Sequence, residues 1–280
     1  MIPSHLPSLR LTSADGATAD IALDGGHVTS WIPAGSTEDR LFISERSTYG
    51  PGMPIRGGIP VIFPQFGPFG TLRQHGFARN CRWTIDESSM SPGHVTLRLN
   101  DDESSRETWP HAFSAALAVM VAESVLSVSL TIHNRDATPF EFTAALHPYF
   151  AVRNAFEARV KGLAGLRYRD SLQDGAVLLE EDDVLRITGP IDRIYFDAPD
   201  RVVIVDSDRR LVIEKRGFPE CVVWNPGVEG TASRTDFAAG DESRMLCVEA
   251  ATIRLPVHLA PGESWTGEQR VIAVPSLATE

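Results

Sequence analysis

The chain of 280 residues has few of the features that announce a function at a glance. It holds only three cysteines, Cys81, Cys221 and Cys247, an odd number with no CxxC or CxxxH spacing. That excludes a disulfide framework and a structural zinc site, and the three read as small buried hydrophobes. Nowhere do eighteen apolar residues follow one another, and Met1-Ile2-Pro3-Ser4-His5 does not lead from a basic region into an apolar run. The expectation is a cytoplasmic protein without a membrane partner. Positive charge is in short supply, 26 basic against 37 acidic residues for a net charge of −11. Nucleic acid is therefore set aside as a partner, because such a surface repels polyanions unless positive charge is gathered locally.

Eight histidines are present, but none forms HxH, HxxxH or HExxH, so no metal site is expected. The GxSxG elbow and the GxxxxGK[ST] loop are missing too, which removes the serine-hydrolase and P-loop classes. Helix signals are sparse. No stretch of a dozen residues places apolar side chains at i, i+3, i+4 and i+7 between a cap and a terminating glycine.

What the chain does have is strict alternation. Leu126, Val128, Leu130 and Ile132 fall on every second position, with Ser127, Ser129, Thr131 and His133 between them, as in a strand with one face buried. Val95, Leu97 and Leu99 repeat the pattern, and Arg201 to Gly217 reads as a hairpin around Asp206-Ser207-Asp208-Arg209. Turn signals are spread over the whole length without an internal repeat. The expectation is an all-β fold with little helix, a large antiparallel twisted sandwich in one domain spanning 1–280. One stretch departs from this: between Gly50 and Gly70, eleven of twenty-one residues are Gly or Pro, interleaved with Phe63, Phe66 and Phe69. It cannot be a central strand and is too apolar for a solvated linker, so it reads as an ordered irregular wall of the kind that carries binding groups.

A few polar residues lie where apolar ones belong. Strand alternation through Phe140–Phe150 puts His147 on one face with Thr143 and Ala145, while Pro148 ends or bends the strand. This fits a pocket histidine, or a core histidine with both nitrogens satisfied. Glu249 interrupts the apolar run Met245–Ala251. Desolvation there raises its pKa and suits it as a base near neutrality, unless a buried arginine explains it structurally. Arg56, beside Gly57-Gly58, and Arg79, closing Gln74-His75-Gly76-Phe77-Ala78, concentrate positive charge in an acidic chain. They fit an anionic ligand group held by guanidinium forks, or salt bridges to the excess carboxylates.

Taken in order, Arg56-Gly57-Gly58-Ile59-Pro60, Phe63-Pro64-Gln65-Phe66-Gly67, Gln74–Arg79, Leu146-His147-Pro148-Tyr149-Phe150, Asp192-Arg193-Ile194-Tyr195, Val223-Trp224-Asn225-Pro226 and Cys247-Val248-Glu249 resemble a family signature. It is that of the glucose-6-phosphate 1-epimerases, hexose-6-phosphate mutarotases of the galactose mutarotase-like (aldose 1-epimerase) superfamily. The resemblance runs from about residue 20 to the end. It implies a β-supersandwich and an interconversion of α and β anomers of a hexose phosphate without cofactor or metal, and a monomer is expected. By position, His147 is similar to the family's general acid at the ring oxygen and Glu249 to its base at the C1 hydroxyl. Arg56, Gln74, Arg79 and Asp192 are similar to its substrate-binding residues, the arginines to its holders of the 6-phosphate, and His75 to a second pocket histidine. Pro148 stands where threonine is common, and Gly227 where an aromatic usually follows Asn225-Pro226. The rival expectations are a mutarotase for unphosphorylated aldoses and a non-catalytic sugar-phosphate-binding β-sandwich.

Overall fold

Alternation becomes sheet. In the computed structural model, which describes residues 6–50 and 52–274, Leu126, Val128, Leu130 and Ile132 are all buried on one face of the strand Val125–Asn134. Its neighbour Phe113–Ala122 buries every second residue in the same way, and the two pair residue for residue from Phe113↔Asn134 to Ala122↔Val125. Arg201–Asp206 and Arg209–Arg216 form the hairpin read from the sequence, closed by Ser207-Asp208 with Asp206 opposite Arg209. These strands belong to a nine-stranded antiparallel sheet.

An eight-stranded antiparallel sheet lies against it, built around the long strand Met245–Leu259. Glu220–Asn225 pairs with that strand on one side and Phe140–Leu146 on the other, and Ile191–Tyr195 lies beyond Glu220–Asn225. A three-stranded sheet, Ser8–Thr12, Thr18–Ala22 and His27–Ile32, completes the strand framework. One apolar cluster draws on all three sheets, joining Ile21 and Trp31 with Leu117 and Leu130 and with Leu246, Val248 and Ala250. Fully burying side chains of this size is worth about 1.5–3 kcal/mol each, so this shared interior is what holds the sheets together. α-Helix is confined to the short segments Glu103–Thr108, Gly227–Ala232 and Asp241–Arg244 among the described residues, and none is long and apolar enough to cross a membrane. Cys221 and Cys247 are buried and Cys81 half-buried, all with free thiols.

The Gly/Pro-rich stretch behaves as its composition requires. Only Val61–Ile62 extends into a strand, and it sits at the end of the eight-stranded sheet, pairing with Leu146 and Ala145. The rest is irregular but tied down: Phe66 N–H donates to Thr143 Oγ1 at 2.7 Å, and Thr143 N–H to Pro64 O at 2.9 Å. Thr143 thus sews the loop to the polar face of the strand that leads to His147.

Candidate active site

Register brings the site together. On Met245–Leu259 the even-numbered residues Leu246, Val248 and Ala250 enter the main core, so Cys247, Glu249 and Ala251 point to the opposite face. Ile194 opposes Val222, and Val222 opposes Glu249. Because Ala250 opposes Leu146, the next position of the ladder sets Glu249 opposite His147. A second row runs beside the first, with Asp192 opposite Trp224, Trp224 opposite Cys247, and Cys247 opposite Tyr149. Four segments far apart in the chain therefore set two rows of side chains in parallel, and all of these except Cys247 line one hollow of about 220 Å³.

All seven residues singled out from the sequence line this hollow: Arg56, Gln74, His75, Arg79, His147, Asp192 and Glu249. His147 Nε2 lies 3.2 Å from Glu249 Oε1, and both side chains are almost fully buried. The alternative of a satisfied core histidine does not describe this pair, since His147 Nδ1 has no hydrogen-bond partner among the described residues, and neither has Glu249 Oε2. Nor does an arginine among the described residues neutralise Glu249; the group at its side is the imidazole. Burial pushes the Glu249 carboxyl well above the ordinary carboxylate range, and the charge of Asp192 adds to this. Burial likewise drives His147 well below the ordinary imidazole value, reinforced by His75, Arg79 and Arg56. Burial therefore pushes both partners toward their uncharged forms, and an uncharged imidazole beside an uncharged carboxyl shares one transferable proton.

His75 sits on the adjoining wall with its ring 5.8 Å from that of His147. Its Nδ1 accepts from Gly67 N–H at 3.2 Å, which places the ring proton on Nε2, and burial and Arg79 bring its pKa down to about 3. It is a neutral donor across the physiological range.

The two arginines divide between the alternatives left open by the sequence. Arg56 is in a salt bridge: its Nε and Nη2 donate to one oxygen of Asp236 at 3.0 and 2.9 Å, and its Nη1 donates to the Tyr149 hydroxyl at 2.8 Å. Gly57 makes this placement possible, since at φ +124° its backbone passes so close to the Phe42 carbonyl that a Cβ would lie 2.2 Å from that oxygen. Arg79 has no carboxylate within reach among the described residues; its Nη2 donates to Gln74 O at 3.1 Å and its buried Nε has no partner. Burial lowers its pKa to about 10, which leaves it charged at neutral pH and without a counter-ion.

Sequence reasoning missed four residues of consequence. Tyr149 stacks on His147 with ring centres 5.0 Å apart and planes 7° from parallel. Trp224 closes on both rings edge-on, at 6.1 Å from His147 and 5.9 Å from Tyr149. Arg234 lies at the mouth over Trp224, and Asp236 holds Arg56. Tyr149 and Trp224 stood inside quoted motifs but were masked as ordinary strand aromatics; Arg234 and Asp236 lie on a connection whose course no periodicity predicts. At Gly227 the backbone takes φ +64°, and a Cβ there would stand 2.8 Å from Pro190 N, so this chain has no room for an aromatic at that position.

The model of the aldose 1-epimerase family matches residues 7–271. The chain belongs to that family. Among its relatives is a Cenchrus ciliaris protein named "Putative glucose-6-phosphate 1-epimerase", 38% identical, the match covering 98% of this chain and 87% of that one. A protein of the same name from Escherichia coli K12 is 33% identical over 86% of this chain and 85% of its own length. Among solved structures, one from Salmonella typhimurium described as a "putative mutarotase" superposes with a TM-score of 0.89 at 27% identity, covering 96% of this chain and 91% of that one. The family's galactose mutarotase-like sandwich is the fold described above.

Proposed function

We propose that this protein interconverts the α and β anomers of a hexose 6-phosphate, most simply glucose 6-phosphate, by acid–base opening and closure of the pyranose ring within a single 280-residue unit. The observation that carries this is the 3.2 Å contact of His147 and Glu249 on the floor of a hollow that also holds Arg79 without a counter-ion. The names carried by the relatives support the same substrate class.

Anomerisation needs one proton taken from the C1 hydroxyl and one given to the ring oxygen. The aldehyde then turns about C1–C2, and both transfers reverse on the other face. Glu249 serves as the base at O1 and His147 as the acid at O5, each transfer contributing typically 10²–10⁴-fold. With burial pushing both groups toward their uncharged forms, the pair holds the single proton required, and its passage from Glu249 to His147 across their short contact yields the carboxylate and imidazolium that the reaction needs. A phosphate dianion near Arg79 and Arg56 favours that shift, because it offsets the positive field that keeps the imidazole neutral. His75 and Asp192 offer a donor and an acceptor to the remaining hydroxyls, and Gln74 stands at the rim.

The mixed pair also argues against hydrolysis. Most glycosidases set two carboxylates across the scissile bond, one acting as nucleophile or activating water; here one member is an imidazole already in contact with the other. The deciding experiment is the anomerisation rate of freshly formed α-glucose 6-phosphate, with and without protein, read through a β-specific dehydrogenase. A rate equal to the spontaneous one would refute the proposal, and calorimetric binding without acceleration would mark a non-catalytic sugar-phosphate binder. Faster turnover of glucose than of its 6-phosphate would favour the mutarotase of free aldoses.

A further inference from the structure

We infer that Asp236 and Tyr149 are positioning residues: Asp236, through Arg56, fixes the Tyr149 ring, and that ring sets the orientation of the His147 imidazole. This rests on the acid–base reading of His147 given above and extends it to residues that do not themselves exchange protons with the sugar.

The chain of contacts is continuous. Asp236 takes two N–H groups of Arg56 on one carboxylate oxygen, and the third nitrogen of the guanidinium holds the Tyr149 hydroxyl. The phenol ring, fixed at its tip by that bond, lies flat against the imidazole at 5.0 Å. Its backbone is fixed as well, by antiparallel pairing of Tyr149 with Cys247. Among the described residues the imidazole has no hydrogen bond at Nδ1 to hold its plane, so the stack with Tyr149 and the edges of Trp224 and His75 define the direction of Nε2 toward Glu249.

Asp236 is itself anchored. Its loop is tied back by Asp241, fully buried, whose Oδ2 accepts from Ser44 Oγ at 2.6 Å and from Ala238 N–H at 2.8 Å. Ser44 N–H in turn donates to the backbone carbonyl of Arg56 at 3.0 Å. Phe237 lies under the guanidinium with the Arg56 carbon 4.9 Å from its ring centre. Both ends of the Asp236–Arg56 pair are therefore held by one buried node, which is what a pair used for alignment needs and a surface salt bridge lacks.

A division of labour follows. Arg56 engages three of its five N–H groups with Asp236 and Tyr149, whereas Arg79 has no carboxylate partner among the described residues, so Arg79 is the freer of the two to meet the 6-phosphate. The groups that face His147 are Glu249, His75, Arg79 and Arg56, with the Tyr149 and Trp224 rings, and removing the Asp236 charge changes the field from one of them only.

The test uses Asp236→Asn, nearly isosteric, and Tyr149→Phe, which keeps the stack and loses only the hydroxyl. Expected is a fall in kcat of roughly 10- to 100-fold in Asp236→Asn for glucose and glucose 6-phosphate alike, with KM little changed, as for a misaligned catalytic group. Tyr149→Phe falls in the same direction by less. Placed in an Arg56→Ala background, Asp236→Asn adds nothing, because its effect passes through that arginine. Independently of turnover, the His147 Cε1–H resonance, assigned with His147→Asn, moves in Asp236→Asn. A normal kcat with an unmoved resonance overturns the inference, as does an effect confined to KM for the phosphate. Absence of wild-type turnover overturns the acid–base reading instead, and the resonance then decides the positioning claim alone.

Discussion

Replacing Glu249 by Gln is the sharpest single perturbation, because activity and stability should move in opposite directions. The amide keeps the shape of the side chain in a site with almost no exposure, and removes the proton acceptor that faces His147. Loss of one acid–base group costs typically 10²–10⁴-fold in rate, which is roughly 2.7–5.4 kcal/mol of transition-state stabilisation. The assay is the α-to-β conversion of glucose 6-phosphate against the spontaneous background.

The stability effect follows from linkage. Burial raises the folded-state pKa of Glu249, so between the ordinary carboxylate value and that raised value the folded protein binds a proton that the unfolded chain has lost. In that window the wild type loses about 1.4 kcal/mol for each pH unit of increase, from this group alone. Glu249→Gln removes the slope. Its urea midpoint should therefore equal that of the wild type below about pH 4.5 and exceed it increasingly as pH rises. Turnover within threefold of wild type would refute the catalytic role; a stability difference that shrinks with rising pH would refute the buried neutral carboxyl.

His147→Asn should lower turnover by a similar 10²–10⁴-fold; since burial depresses the imidazole pKa, the wild type is penalised as pH falls below about 6.5, and thermal melts should show the variant gaining on it there. Arg79→Ala removes a charge-assisted contact worth about 1.5–3 kcal/mol, so KM for glucose 6-phosphate should rise about 10- to 150-fold with little change for glucose; equal effects on both sugars would remove the phosphate from Arg79. Gly227→Ala forces a side chain onto a left-handed backbone against Pro190, and chemical denaturation should show a loss of roughly 1–3 kcal/mol.

Much of the site was legible because strand geometry is periodic. Alternation alone placed His147 with Thr143 and Ala145, and those three do share the pocket-side face. The apolar run around Glu249 marked a carboxyl buried on a strand but left open whether an arginine meets it; among the described residues the group beside it is the His147 imidazole. What periodicity cannot supply is which strands lie side by side. The meeting of Asp192, Trp224, Cys247 and Tyr149 in one row depends on ladders between segments tens of residues apart. Asp236 was invisible for a stronger reason: it follows a short helix on an irregular connection and reaches an arginine 180 residues away. The sequence could say that Arg56 either met an anion or met a carboxylate; only the fold shows that Asp236 takes it.

That distinction explains how a pocket with such strong desolvation can run a reversible reaction near neutrality. A lone buried histidine or glutamate would simply stay neutral and give up acid–base work. Placed 3.2 Å apart, they need no proton from solvent, because the neutral pair and the charged pair differ only in which side chain holds the one proton. Whatever favours the charged pair favours ring opening and closure alike. On the proposed reading Arg79, which has no carboxylate partner among the described residues, draws in an anionic substrate whose charge tips that balance, while Arg56, tied to Asp236, holds the geometry in which the proton can cross. The two arginines of one hollow are thus proposed to do different work because one of them has a carboxylate partner and the other, among the described residues, has none.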